Sequence, residues 1–200
     1  MRPIRKGPEP ASLTTYRLRG DAIYEGYREK DELREALVRE QRGVCCYCGG
    51  RIAANGMKIE HWLPQSAFPG EQLAYRNLLG ACMGGEGLPV QHCDTYKADR
   101  ALCRNPAEPT HWPGLAVRFR GDGEMRADFE PLDRELDEVL NLNVAVLKNR
   151  RKAVLDGFTR AIRKTGVVAW ERRLAEWEEG ELRPYSQIVA YWLRKRMARG

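Results

Sequence analysis

Residues 44–50 read VCCYCGG and residues 58–64 read KIEHWLP; NLLGAC at 77–82 and QHCDTYK at 91–97 follow. The first segment sets Cys45 and Cys48 at C-x-x-C spacing on a turn loosened by Gly49 and Gly50. Two thiolates so placed can hold one edge of a zinc tetrahedron. The other edge must come from elsewhere, and Cys82 and Cys93 are the candidates, with Gly84, Gly85 and Gly87 between them. Cys46 and His92 are possible substitutes. Five of the six Cys and two of the three His fall between Cys45 and Cys93. So short and glycine-rich a region has little apolar material to fold on, and structural zinc can supply about 10 kcal/mol or more of the missing folding free energy. Cys103 is expected to be a free thiol.

The second segment places an acid beside a histidine at the end of a short strand, Met57–Trp62, bounded by Asn55-Gly56 and Pro64. Its partner strand is expected near Arg51–Ala53. Adjacent side chains on a strand face opposite sides, so Glu60 and His61 share a site only if the strand ends there. A neutral His61 can take a proton from water near pH 7. Glu60 can offer hard oxygen to a Mg2+-like ion.

Outward from this core the chain falls into three parts, 1–43, 44–106 and 107–200. The first is a basic arm with Pro3, Pro8 and Pro10, expected to lie on a larger body or to be partly disordered, followed by a short helix over Asp31–Gln41 that Gly43 ends. In the second, Asp94–Leu102 could begin a helix. The third carries a hairpin-like stretch, Val117–Phe129, turning at Gly121-Asp122-Gly123. Apolar residues at helical spacing follow: Leu140, Val144, Leu147, Val154, Phe158 and Ile162; then Val167, Trp170, Leu174 and Trp177; then Ile188, Val189, Trp192, Leu193 and Met197. The tryptophans read as core and His111 as structural; the basic runs 148–152 and 194–196 could track nucleic acid or be solvated helix faces.

The 200 residues hold 34 Lys+Arg and 28 Asp+Glu, a net charge of +6, with a mean hydropathy of −0.60. This permits an acidic partner such as nucleic acid without requiring one. No apolar run approaches the ~18 residues of a membrane span. The opening MRPIRKGPEP has no apolar leader core, so a cytoplasmic setting without membrane association is expected.

The order C-x-x-C, Glu60-His61, Asn77-Leu78, Cys82, then Cys93-Asp94 and Lys97 resembles the HNH endonuclease family. The arm at 1–13, EQRGVCCYCGGRI, KIEHWLPQS, NLLGAC, HCDTYK and the downstream LNLN…LKNRR look like one subgroup of it. That subgroup is the PtuB-like partner protein of Septu-type and retron-associated anti-phage systems. The resemblance implies an α+β chain in which a zinc-stabilised ββα-metal module, residues 44–106, is embedded in a mainly helical polypeptide. It implies structural Zn2+ on Cys45, Cys48, Cys82 and Cys93, and a catalytic Mg2+ or Mn2+.

Carried over by position, the resemblance makes His61 the base that activates water and Glu60 a ligand of the catalytic ion. Asn77 would orient His61 through the nearby backbone. The other ligand of the ion is Asp94 or, for a softer metal, His92. Lys97 would contact a phosphate. The implied activity is phosphodiester hydrolysis of nucleic acid, with DNA the expected target. The implied partner is a PtuA-like ATPase, in some systems with a reverse transcriptase and its DNA product. The alternative is a zinc-stabilised subunit that binds nucleic acid or the ATPase without catalysis.

Overall fold

The computed structural model describes residues 1–163 and 169–199, and it is α+β. The N-terminal segment is folded down rather than loose. Met1, Ile4, Leu13 and Tyr27 are buried, and Ala11–Arg17 forms helix α1. Lys6 pins the segment: its ammonium lies 2.5 Å from Glu40, donates to the Leu78 carbonyl at 2.9 Å and sits 3.7 Å above the Tyr75 ring. The arm thus lies on the larger body, as one of the two sequence readings has it, with isolated apolar residues reaching the core.

Helix α2, Lys30–Glu40, buries Leu33 and Leu37, one turn apart on one face. It stops where Arg42 and Gly43 turn left-handed, at φ 58° and 77°, and the Gly43 N–H returns to the Val38 carbonyl at 2.9 Å.

Strand β1, Met57–His61, pairs antiparallel with β2, Leu78–Cys82, in a register that sets Met57 opposite Cys82 and His61 opposite Leu78. The partner expected at Arg51–Ala53 is therefore elsewhere. Arg51 forms only an isolated bridge to Val44, which closes the Cys45–Gly50 turn. A glycine-rich loop leads from β2 to α3, Cys93–Lys97, which packs on β2. This helix is shorter than the Asp94–Leu102 reading, because the backbone breaks at Ala98 with φ 49°.

The expected hairpin is present as β3, Val117–Phe119, and β4, Met125–Ala127. Next come α4 (Glu130–Glu138), α5 (Ala145–Arg163), α6 (Trp170–Glu178) and α7 (Ser186–Met197). Leu140 and Val144 of the first apolar stripe precede α5, and Val167 lies outside the described residues. The tryptophans pack among themselves, as read from sequence. Phe158 meets Trp177 at 5.5 Å and Trp192 at 5.8 Å, and Trp170 meets Trp192 at 5.8 Å, all edge to face.

One buried cluster runs from Met1 to Leu193, so the three sequence segments share a core. The α6–α7 connection clamps the cysteine turn: the Leu182 N–H donates to the Arg42 carbonyl at 2.9 Å and the Tyr185 N–H to the Gly49 carbonyl at 2.7 Å. Among the described residues no helix is long and apolar enough to cross a membrane.

Candidate active site and metal centre

The cysteine turn folds around its own backbone. The Cys45 N–H donates to the Gly50 carbonyl at 2.8 Å, the Gly49 N–H returns to the Cys45 carbonyl at 3.1 Å, and Gly49 takes φ 76°. This aims the Cys45 and Cys48 sulfurs the same way. Cys82, at the end of β2, and Cys93, at the start of α3, supply the opposing pair. Cys93 itself has φ 57°, a conformation a non-glycine residue adopts only where its surroundings hold it.

The four ligand atoms lie within 4.8 Å of one another. Cys45 and Cys93 sulfurs are 3.9 Å apart, and those of Cys48 and Cys82 are 3.7 Å apart. Four sulfurs at ~2.3 Å from a tetrahedral zinc would be ~3.8 Å apart, so the cluster fits a metal ion such as zinc. The Gly50 N–H points at the Cys48 sulfur from 3.3 Å and would stabilise a thiolate there. Burial raises the Cys45 thiol, but hydrogen bonds from Cys46, Cys48, Cys82 and Cys93 outweigh it and bring Cys45 well below the ordinary thiol range. Cys93 is pushed up, first by burial and then by its sulfur neighbours. Cys46 stands outside the four and holds the turn to β2 through its N–H, 3.0 Å from the Gly80 carbonyl. Cys103 is a free thiol pushed up to about 12, mainly by burial and then by Glu135.

On the other side of β1 and α3 lies an open cleft lined by Lys58, Glu60, His61, Gln65, Asp94 and Thr95. Strand β1 ends at His61, where the Trp62 N–H turns to the Asn77 carbonyl at 3.0 Å. That ending is what lets adjacent Glu60 and His61 border one cleft. Glu60 is 2 % exposed; its Oε1 accepts from the Tyr47 hydroxyl at 2.6 Å and lies 2.9 Å from the Lys97 ammonium. Burial pushes the Glu60 carboxyl well up, and the hydrogen-bonded Asp94 carboxyl adds to this; Lys97 and Tyr47 act in the opposite direction. Two carboxyl groups meeting at a cleft are hard-oxygen donors suited to a divalent cation.

His61 is oriented from both ring nitrogens. Nε2 lies 2.9 Å from the Gln72 carbonyl, and a carbonyl only accepts, so Nε2 carries the proton. Nδ1 therefore holds the lone pair, with the Gln65 amide at 3.3 Å. The Tyr24 ring packs edge-on at 4.4 Å. Burial lowers His61 below its ordinary range, although the Gln72 carbonyl and Asp94 oppose this, so the imidazole is neutral near pH 7. Asn77 fixes the segment after His61: its Oδ1 accepts from the Leu63 N–H at 2.7 Å, and its amide donates to the Leu63 and Glu71 carbonyls, each at 3.1 Å.

Two expected site residues sit elsewhere. Lys97 is 1 % exposed and turned inward, donating to the His61 carbonyl at 3.1 Å, so it has no surface from which to touch a phosphate. His92 lies with Nδ1 3.2 Å from the Cys93 sulfur, on the cysteine side, while Asp94 lines the cleft. His111 is structural, accepting the Asn105 N–H at 2.8 Å. In the 148–152 run Arg151 is buried and Lys148 lies 2.6 Å from Asp122, while Asn149, Arg150 and Lys152 are exposed. Tyr24, Tyr47, Gln65 and Gln72 escaped the sequence reading. Tyr47 alone carried a signal, its place inside the C-x-x-C turn.

No protein-family model matches this sequence, and no curated protein matches it.

Proposed function

We propose that the chain is a metal-dependent endonuclease of the HNH type, hydrolysing phosphodiester bonds in nucleic acid, with DNA the expected target. The observation that supports this most is the convergence of a neutral, doubly oriented His61 with the paired carboxyl groups of Glu60 and Asp94. They meet on an antiparallel strand pair and a short helix that share a four-cysteine cluster fitted to zinc.

Each residue then has a distinct task. The Gln72 carbonyl holds the Nε2 proton, which leaves Nδ1 of His61 to accept a proton from the attacking water. Asn77 fixes the chain beyond His61 so that the ring keeps its aim. Glu60 and Asp94 would hold Mg2+ or Mn2+, and Tyr47 and Lys97 fix the Glu60 carboxylate by its Oε1. A divalent ion bound there supplies Lewis-acid stabilisation of the charge that grows on the phosphate and the leaving oxygen. Zinc on Cys45, Cys48, Cys82 and Cys93 would tie the turn, β2 and α3 together, and so set the distance between Asp94 and Glu60.

The test is plasmid cleavage by zinc-loaded wild type and His61→Ala, with EDTA, Mg2+ and Mn2+ compared. The reading expects metal-dependent cutting that falls about 100-fold or more in His61→Ala. Undiminished cutting by the variant, or a folded wild type that neither cuts nor binds nucleic acid, overturns it. The resemblance to PtuB-like proteins adds an anti-phage role beside a PtuA-like ATPase, which co-purification of the two proteins would test.

A further inference from the structure

With Lys97 buried against Glu60, the cleft needs another cation to receive substrate phosphate. Lys58, among its lining residues, is tied to Glu86 at 3.0 Å, and Arg34, on α2, is tied to Asp31 at 2.7 Å. Lys30, in the first turn of α2, is different. Among the described ion pairs it has no carboxylate partner. Its ammonium rests instead on the face of the Tyr24 ring, 4.6 Å from the centroid, and that same ring packs at 4.4 Å on His61. Two short contacts in series thus tie an un-neutralised ammonium to the base of the proposed reaction. A cation in a helix's first turn opposes the macrodipole, so Lys30 gains nothing for α2 by standing there. An aromatic face positions an ammonium without cancelling its charge, so an incoming phosphate need not strip away a carboxylate first.

We propose that Lys30, held on the Tyr24 ring, is the phosphate contact of this cleft and engages the nucleic-acid backbone beside the bond that is cut. The proposal rests on the nuclease reading above. The contact is to backbone, so it carries affinity and salt dependence rather than sequence preference. Tyr24 acts as a positioning residue for both Lys30 and His61, and its own N–H is anchored at 3.0 Å to the side chain of Gln72.

The test uses the full zinc-loaded chain and a fluorescein-labelled DNA duplex. Binding is read by anisotropy over a range of KCl, and steady-state cleavage at saturating Mg2+. Lys30→Ala should weaken binding and raise KM about three- to tenfold, leave kcat within about twofold, and reduce the slope of log affinity against log salt by about 0.9, one counterion's worth. Lys30→Arg should keep the wild-type slope. Lys195→Ala is the matched control, since Lys195 also lies over a tyrosine ring, 6.0 Å from the Tyr191 centroid, but on α7. It should change neither quantity. A wild-type slope and KM in Lys30→Ala, or an equal loss in Lys195→Ala, overturns the phosphate contact while leaving the nuclease reading intact. A wild type that neither binds nor cuts the duplex overturns both.

Discussion

The Lys97 ammonium lies 2.9 Å from Oε1 of Glu60, with the two side chains 1 % and 2 % exposed. A buried ion pair is weak evidence for stability as a whole, because two desolvated charges cost nearly what their attraction returns. Removing one partner is different, since the other is left buried and uncompensated. Lys97→Met should therefore destabilise by about 3–5 kcal/mol. The loss also frees the His61 carbonyl that Lys97 caps at 3.1 Å. Lys97→Met combined with Glu60→Gln should recover part of that loss in urea unfolding while remaining inactive. Equal instability in the single and double variants would show that the two charges are not coupled.

The cysteine cluster separates the roles of neighbouring thiols. Cys48→Ser replaces a ligand, and with it most of the roughly 10 kcal/mol that a structural zinc contributes. That variant should purify with less than stoichiometric zinc and lose its near-UV circular dichroism. Cys46→Ala removes a buried thiol outside the four-sulfur set, so it should keep full zinc and lose only about 1 kcal/mol. Zinc content by mass spectrometry of the two proteins checks this, and loss of metal from Cys46→Ala would reassign the ligands.

Asn77 joins stability to the site. It is 2 % exposed and makes three hydrogen bonds to the backbone at Leu63 and Glu71. Asn77→Ala leaves the Leu63 N–H and the Leu63 carbonyl without partners, at about 1–3 kcal/mol for each group that water does not reach, while the Glu71 carbonyl keeps the Ala74 N–H at 3.1 Å. The expected result is a fall of at least about 2 kcal/mol in stability together with a lower kcat, because the chain that positions His61 loses its clamp. Asn77→Asp should be no better, since a carboxylate keeps the acceptor for Leu63 N–H but faces two carbonyls it cannot donate to. Full activity in Asn77→Ala at a temperature well below its unfolding midpoint would remove Asn77 from the site.

Much of this arrangement was legible where one local rule was enough. The C-x-x-C turn, strand β1, the hairpin at Gly121-Asp122-Gly123 and helices α2, α6 and α7 follow from spacing alone. Strand β2 was missed as a strand because four of its five residues are buried and Gly80 interrupts it, so no polar alternation marks it. Helix α4 carries only Leu132 and Leu136 as buried residues among seven polar or proline positions, which reads as a charged surface segment. The N-terminal segment packs through single residues, Met1 and Ile4, which no periodicity reveals. Lys97 illustrates the limit most directly. Its spacing from Asp94 places it correctly on α3, but spacing cannot tell that its long stem carries the ammonium inward to Glu60. Tyr24 and Gln72 reach His61 from 37 and 11 positions away in the sequence, through tertiary packing alone.

The basic run at 148–152 has one member turned into the fold. Its five residues look like a nucleic-acid track in sequence, yet Arg151 is 1 % exposed. Its Nε donates to the Gly123 carbonyl and its Nη2 to the Leu142 carbonyl, both at 2.6 Å, so the guanidinium joins the β3–β4 turn to the start of α5. Gly123 is bound to that place, because its φ is 89° and an added Cβ would fall 2.1 Å from the Lys148 carbonyl. Arg151→Lys keeps the charge but cannot span both carbonyls with a planar fork, so it should cost about 2 kcal/mol, the scale of a charge-assisted hydrogen bond. A phosphate contact would behave in the opposite way, tolerating lysine in stability. DNA affinity at fixed salt should be unchanged in the folded variant. A stable Arg151→Lys with weakened binding would return this run to the nucleic-acid surface, and with it a second track besides the Lys30 rim.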